Sequence, residues 1–134
     1  MAYESITLNQ EIIIDNIVSI HYFEYMSDFS FEGESHDFWE FLCVDKGAVN
    51  VVADTTTYTL NKGDIIFHKP NEFHNVKANN IIAPNLVVIA FECTSPAMDF
   101  FKNKILRVGQ TEQTLLAQII KEARETFSCR LDDP

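Results

Sequence analysis

Short apolar segments separated by turn-forming residues dominate the first two thirds of the chain. The turns recur about every 8–12 residues, a spacing typical of antiparallel strands in a sandwich or barrel. We therefore predict a mainly β domain. The predicted strands are Glu11 to Tyr25 with a hairpin turn at Asp15-Asn16, Phe38 to Val44, Ala48 to Ala53, Thr57 to Leu60, Ile65 to His68 and Asn85 to Glu92.

The pattern changes to helical spacing after residue 94. Ser95-Pro96 provides an N-cap and a first helical position for a short helix through Phe101. Gly109 precedes a second predicted helix, Thr111 to Phe127, whose apolar residues share one face that must pack on the strands or on a second subunit. These apolar residues are Leu115, Leu116, Ile119, Ile120, Ala123 and Phe127. We expect a barrel over residues 1–94 and a helical segment of the same domain over residues 95–134.

Composition narrows the classes of partner. The 134 residues fit one domain, and 20 acidic against 10 basic residues give a formal net charge of −10. This charge disfavours contact with nucleic acid or with anionic membranes. No apolar run approaches the roughly 18 residues that span a bilayer, and the N-terminus lacks a signal-peptide pattern. We expect a cytoplasmic protein without a membrane partner.

Histidines and carboxylates recur at spacings that could bring them together. His36 and Glu40 are four residues apart, so on one strand they would point to the same face, and Glu34 shares their parity. His74 follows a later predicted strand. Such residues could ligate a metal, bind a hydroxylated organic molecule, or simply pair with one another.

Apolar side chains of the predicted strands are candidates for the walls of a ligand pocket, with core packing as the alternative for each. These residues are Phe23, Tyr25, Phe38, Val76, Leu86 and Val88. His21 and His68 lie in predicted strands, so we expect them to make surface or sheet contacts.

The first polar string resembles the first motif of the cupin superfamily. The family pattern is His-x-His, three or four residues, Glu, six residues, Gly. This chain has Glu34-x-His36, three residues, Glu40, six residues and Gly47. Glu34 replaces the first metal-ligand histidine of the family, which weakens the metal site that the resemblance implies.

The second polar string resembles the second cupin motif, which reads Gly, five residues, Pro-x-Gly-x-x-His. This chain has Gly63, five residues, then Lys69-x-Asn71-x-x-His74. Asn71 replaces a glycine, and asparagine tolerates positive φ better than most residues.

A narrower resemblance covers about residues 35–127. His36-Asp-Phe-Trp-Glu-Phe, then Val44-x-Lys-Gly, then Gly63-Asp-Ile-Ile-x-x-x-Pro, then Phe73-His-Asn and the helical tail are similar to the N-terminal effector-binding domain of AraC-type transcription regulators. This resemblance implies a cupin-like double-stranded β-helix (jelly-roll) barrel followed by C-terminal α-helices. It implies a small-molecule effector inside the barrel and a homodimer formed through the helix at residues 111–128. It also implies that a separate C-terminal domain, which is not in this chain, binds DNA, so we expect a fragment of a longer regulator, with a naturally short protein as the alternative.

We therefore predict a sensing and dimerisation domain that is not an enzyme and carries no cofactor. His36, Glu40 and His74 would supply the polar contacts, and the six wall residues would line the pocket. One alternative is a small metal-dependent cupin enzyme, a dioxygenase or isomerase, with a divalent transition metal held by Glu34, His36, Glu40 and His74. Another is a dimerisation module with a vestigial pocket.

Overall fold

A computed structural model of the protein describes residues 3–127 and contains two antiparallel sheets. Sheet A has the strand order β1-β8-β3-β6-β9, and sheet B has the order β2-β7-β4-β5. A 3₁₀ helix, Pro96–Phe101, lies between β8 and β9. The other elements are β1 (Asn16–Glu24), β2 (Ser30–Glu34), β3 (Trp39–Lys46), β4 (Ala48–Ala53), β5 (Thr56–Asn61), β6 (Asp64–His68), β7 (His74–Ala78), β8 (Asn85–Glu92), β9 (Ile105–Arg107) and α1 (Gln110–Thr126).

The central strand β3 contributes to two hydrophobic cores because its side chains alternate between the faces of sheet A. Leu42 and Val44 point between the sheets into an inner core. Trp39, Phe41 and Cys43 point the other way into an outer core, which the 3₁₀ helix and α1 cover.

Side chains fill the inner core. Val49 and Val51 of β4, Leu60 of β5 and Leu86 of β8 all have 0% of their surface exposed. A ligand could enter the middle of the barrel only by displacing them, because protein cores are packed to crystal-like density. Inside the barrel, room for a ligand is therefore restricted to its ends.

Helix α1 begins and ends within one residue of the predicted bounds. Ile120 and Ala123 are buried against the outer core, whereas Leu115 and Ile119 are 52% and 40% exposed. The apolar stripe of the helix is therefore divided between its own barrel and solvent. Within residues 3–127, the helices lack the combination of length and apolar character that a membrane crossing requires.

The N-terminal segment departs from the prediction. A strand from Glu11 with a hairpin turn at Asp15-Asn16 is wrong, because β1 begins at Asn16 and pairs with β8, distant in sequence. The Asp15 backbone N–H donates to the Glu92 carbonyl at 2.9 Å. The Ile13 N–H donates to Oγ of Ser95 at 2.9 Å, so residues before β1 are tied to the end of β8 rather than folded into a hairpin.

Three strands were not predicted. β2 and β7 are five residues each and pair with one another, and β9 adds three residues to the edge of sheet A beside β6. The segment after residue 94 is thus not wholly helical. The expected hairpin of β4 and β5 is present, with Asp54 at its turn in the left-handed region at φ 53°.

Candidate functional site

One end of the barrel collects the ends of four strands. β2 ends at Glu34, β6 ends at His68, β7 begins at His74, and Glu40 is the second residue of β3. Strand pairing places Glu34 opposite His74 and Glu40 opposite His68. These pairings bring residues 28 and 40 positions apart in sequence to the same end of the barrel.

His36 reaches this end from the loop between β2 and β3. The prediction that His36 and Glu40 share one strand is wrong, because β3 begins only at Trp39. The loop is held against the second motif by the Asn71 backbone N–H, which donates to the His36 carbonyl at 2.6 Å. Asn71 has φ 66°, which confirms the positive φ expected at the position where the cupin motif has glycine.

Glu40 lies at the centre of the resulting cluster, which we call the barrel-end cluster: Glu34, His36, Glu40 and His74. Oε1 of Glu40 is 3.5 Å from Nε2 of His36, and Oε2 of Glu40 is 3.0 Å from Nε2 of His74. Oε1 of Glu34 is 3.9 Å from both imidazole Nε2 atoms. One ligand atom from each residue falls within 4.8 Å of the others, a mixed imidazole and carboxylate set of the kind that divalent metals use.

The backbone fixes the ring orientation of both histidines. Nδ1–H of His36 donates to the Phe38 carbonyl at 3.0 Å, and Nδ1–H of His74 donates to the Glu72 carbonyl at 3.1 Å. A carbonyl can only accept, so in the neutral ring the lone pair is on Nε2. Both Nε2 atoms are buried and, among residues 3–127, neither has a hydrogen-bond partner of good geometry.

The charges of this cluster favour a cation between the rings and the carboxylates. Burial opposes ionisation of Glu40, but the contact with His74 and the charges of His68 and His36 together outweigh burial and lower the pKa of Glu40. Burial likewise disfavours the charged form of His74, but Glu40 raises the pKa of His74 above its usual range. A proton on His74 and a bound cation would thus be stabilised by the same carboxylate.

His68 and Glu72 form a second buried unit that the sequence reasoning missed. His68 was expected in surface or sheet contacts, but its side chain is completely buried, and its Nδ1 is 2.9 Å from Oε1 of Glu72. Its ring stacks on that of His74, with 4.4 Å between centroids. One signal was available, because His68 is two residues from the inward-facing Ile66 and so shares its face.

The predicted wall residues divide into two groups. Phe38 stacks on the His36 ring at 3.9 Å and so borders the barrel-end cluster. Burial raises the pKa of Tyr25 to about 12, with the charge of Glu40 adding to the shift. Phe23 stacks on Tyr25 at 5.0 Å between ring centroids. Leu86 belongs to the inner core, and Val76, Val88 and also Tyr25 pack against it.

Comparison with known families finds one match. Residues 16–80 match the profile of the AraC-like ligand binding domain. This segment contains the whole barrel-end cluster together with His68 and Glu72. No curated protein matches the chain significantly.

Solved structures with a similar fold are cupin domains. The Schizosaccharomyces pombe Cnp3 cupin domain is 14% identical with a TM-score of 0.52, over 64% of this chain and 65% of that domain. A cupin superfamily protein from Desulfitobacterium hafniense DCB-2 is 13% identical with a TM-score of 0.51, over 66% and 83%. A conserved protein of unknown function from Streptococcus pyogenes is 13% identical with a TM-score of 0.52, over 69% and 90%. The chain thus spans less than two thirds of the S. pombe domain. The predicted fold class, a cupin-like jelly roll followed by C-terminal helix, is confirmed.

Proposed function

Because residues 16–80 match the AraC-like ligand binding domain, we propose that this chain is the small-molecule-sensing and dimerisation domain of an AraC-type transcription regulator. The observation that carries the proposal is the meeting of His36, Glu40 and His74 at one end of a barrel whose middle is filled. The packed core stabilises the barrel, and the polar end provides a site at which a small molecule would bind.

The effector would be bound at the barrel end, with His36, Glu40 and His74 as its polar contacts. Phe38 would form one apolar wall, since its ring already lies against His36. Buried polar groups that fix the orientation of a ligand beside apolar walls are the usual composition of small-molecule sites.

A homodimer would form through α1. Leu115 and Ile119 are exposed apolar residues on this helix, while Ile120 and Ala123 hold it to the barrel. A second copy that covers the exposed positions would remove apolar surface from water. DNA would be contacted by a separate domain of the regulator, since a net charge of −10 makes this chain repel phosphate.

Effector binding would act by favouring one placement of α1 or of the N-terminal arm over another. A ligand shifts such an equilibrium only by the difference in its affinity for the two states. We expect effector binding and dimer geometry to be thermodynamically linked, so that each changes the equilibrium constant of the other by the same factor.

A ligand screen followed by calorimetry tests the site. Compounds that raise the melting temperature of the protein would be titrated into the parent chain and into Glu40→Ala and His74→Ala variants. We expect both variants to lose affinity and to remain folded. Lys62→Ala, in an exposed turn between β5 and β6, is the control and should bind like the parent. Unchanged affinity in both site variants would place the effector elsewhere.

Analytical ultracentrifugation tests the dimer. Leu115→Glu combined with Ile119→Glu should shift the protein toward monomer, because two charges would be buried at the proposed interface. Gln113→Glu adds a negative charge on a different face of α1 and should leave the association constant unchanged. A parent protein that stays monomeric at high micromolar concentration would contradict this part of the proposal.

A second candidate is a metal-dependent cupin enzyme. The observation that favours it is the convergence of buried Nε2 atoms of His36 and His74 on the carboxylates of Glu34 and Glu40. These four residues would hold a divalent transition metal, and such an ion would polarise an oxygen atom of a substrate. The Nδ1 hydrogen bonds to backbone carbonyls orient the rings as metal-ligating histidines require.

Elemental analysis of purified protein tests this candidate. Stoichiometric iron, manganese, nickel or zinc that is lost in His74→Ala would support a metal centre. Metal content that is negligible, or equal in parent and variant, would favour the sensor hypothesis over the enzyme hypothesis.

A further inference from the structure

We propose that His68 is a further binding residue of the barrel-end cluster, that Glu72 positions it, and that the completed site takes a cationic ligand. The proposal rests on the proposed function, because it concerns the same site. Neither residue occupies a ligand position of the cupin motifs quoted above, and His68 comes from the strand before the motif's histidine.

The first observation is a buried nitrogen without a partner. The side chain of His68 is fully buried, and within the described part of the chain its Nε2 has no hydrogen-bond partner. Buried polar atoms are nearly always satisfied by protein, by ordered water or by a ligand. This nitrogen is therefore available to a group that enters the site.

The second observation is that one residue orients two rings. Glu72 accepts the Nδ1–H of His68 through its side chain and the Nδ1–H of His74 through its backbone carbonyl. The two rings are stacked with only 13° between their planes. Because both Nδ1 atoms face Glu72, both Nε2 atoms face away from it, and Nε2 of His74 meets Glu40 on that side. His68 thus presents its Nε2 toward the same region.

The third observation is the chemistry of the assembled atoms. With every Nδ1 used as a donor, His36, His68 and His74 each offer a lone pair at Nε2 when neutral. Glu34 and Glu40 add only acceptor oxygens. The site therefore presents electron pairs and negative charge.

Among residues 3–127, the lysine beside this site pairs with carboxylates other than those of Glu34 and Glu40. Nζ of Lys69 is 3.5 Å from Oε2 of Glu72 and 3.6 Å from Oδ2 of Asp54, so it is engaged on the outer side of Glu72. A ligand with a positive centre would offset the carboxylates and satisfy the lone pairs. A metal ion and an organic ammonium share this chemistry, whereas an anion would be repelled.

Titration with defined probes tests the proposal. Co²⁺ is followed by its visible absorption, butane-1,4-diamine by calorimetry, and succinate serves as the anionic probe of comparable length. The key variant is His68→Asn, because an asparagine amide can still donate to Glu72 while Nε2 is lost. His21→Asn is the matched control, since His21 is the one histidine of the chain outside this group.

We expect Co²⁺ or the diamine to bind the parent chain and His21→Asn equally. Binding by His68→Asn should be weaker by about 10-fold or more, and Glu72→Gln should weaken it by about 10- to 100-fold, the range for residues that orient ligands. In ¹⁵N-histidine spectra, a bound diamine or diamagnetic Zn²⁺ should shift the Nε2 resonance of His68. A purely structural role for His68 predicts no such shift.

The outcomes separate this inference from the proposed site. Equal affinities in the parent and His68→Asn, with loss in His74→Ala, would overturn the role of His68 and keep the barrel-end site. Binding of succinate, or failure of both cationic probes to bind the parent, would overturn the cationic class. If a cationic probe bound unchanged in Glu40→Ala and His74→Ala as well, the barrel-end site itself would fall.

Discussion

The buried pair of His68 and Glu72 gives the sharpest prediction of stability. Replacing His68 with Phe keeps an aromatic ring against His74 but leaves the Glu72 carboxylate, 3% exposed, without its 2.9 Å partner. A buried carboxylate that loses its hydrogen-bond partner costs about 3 kcal/mol or more. Lys69 at 3.5 Å compensates in part, so we expect about 3 kcal/mol.

A double-mutant cycle isolates the interaction. Glu72→Leu alone should cost about 2 kcal/mol, because it leaves the His68 Nδ1–H unsatisfied. The double variant His68→Phe with Glu72→Leu removes both polar groups together. We expect the double variant to be more stable than His68→Phe, at a cost of about 1 kcal/mol relative to the parent chain, since replacing both partners by apolar groups is nearly neutral.

Urea unfolding followed by circular dichroism measures the four free energies. For a domain of this size, about 3 kcal/mol should also lower the melting temperature by roughly 10 °C. Strictly additive effects of the two substitutions, or a cost below about 1 kcal/mol for His68→Phe, would refute the reading of this pair as a buried, coupled unit.

Three further predictions concern other parts of the fold. Gly33→Ala should be strongly destabilising in a thermal melt, because the glycine has φ 128° and a Cβ there would overlap the Phe73 ring. Ionised Glu40 stabilises the fold above its unfolded pKa of 4.5, and protonated His74 stabilises it below its unfolded pKa of 6.5. The free energy of unfolding in urea should therefore fall as pH rises through the raised pKa of His74, and fall again as pH drops below 4.5 and Glu40 is protonated. Glu40→Gln should show neither loss. Burial raises the pKa of Cys43 to about 11, so mass spectrometry should find it unalkylated by iodoacetamide at pH 8 in the folded protein and alkylated in urea.

The sequence predicted strands wherever an apolar run was bounded by turns on both sides. β4 and β8 have the predicted bounds, and the motif spacing correctly brought His36, Glu40 and His74 together. Local periodicity is sufficient in these places because burial, turn chemistry and strand pairing all favour the same structure.

The remaining strands depend on partners that a local pattern does not contain. β2 has the sequence Ser-Phe-Glu-Gly-Glu with exposed and half-buried residues only, and it is a strand because it pairs with β7. For the same reason Glu11 to Asp15, although apolar in part, is no strand: in residues 3–127 its backbone before Asp15 finds no ladder partner. The burial of His68 was missed because its shared face with Ile66 becomes informative only once the two sheets show that Ile66 points inward.

Strand β3 contributes side chains both to the barrel-end cluster and to the outer core beneath α1, so the two regions are close together. Glu40 touches the histidines on one face, while Trp39 and Phe41, its chain neighbours, belong to the outer core that supports α1. Adjacent Cα atoms are about 3.8 Å apart, so a single peptide unit separates the site from the helix-bearing core. A shift of the β3 backbone on ligand binding would directly tilt the outer-core surface on which α1 packs. In the proposed sensor, signal transmission would then require no chain of intermediary side chains, and its strength would depend on how firmly β8 and β6 hold β3 on either side.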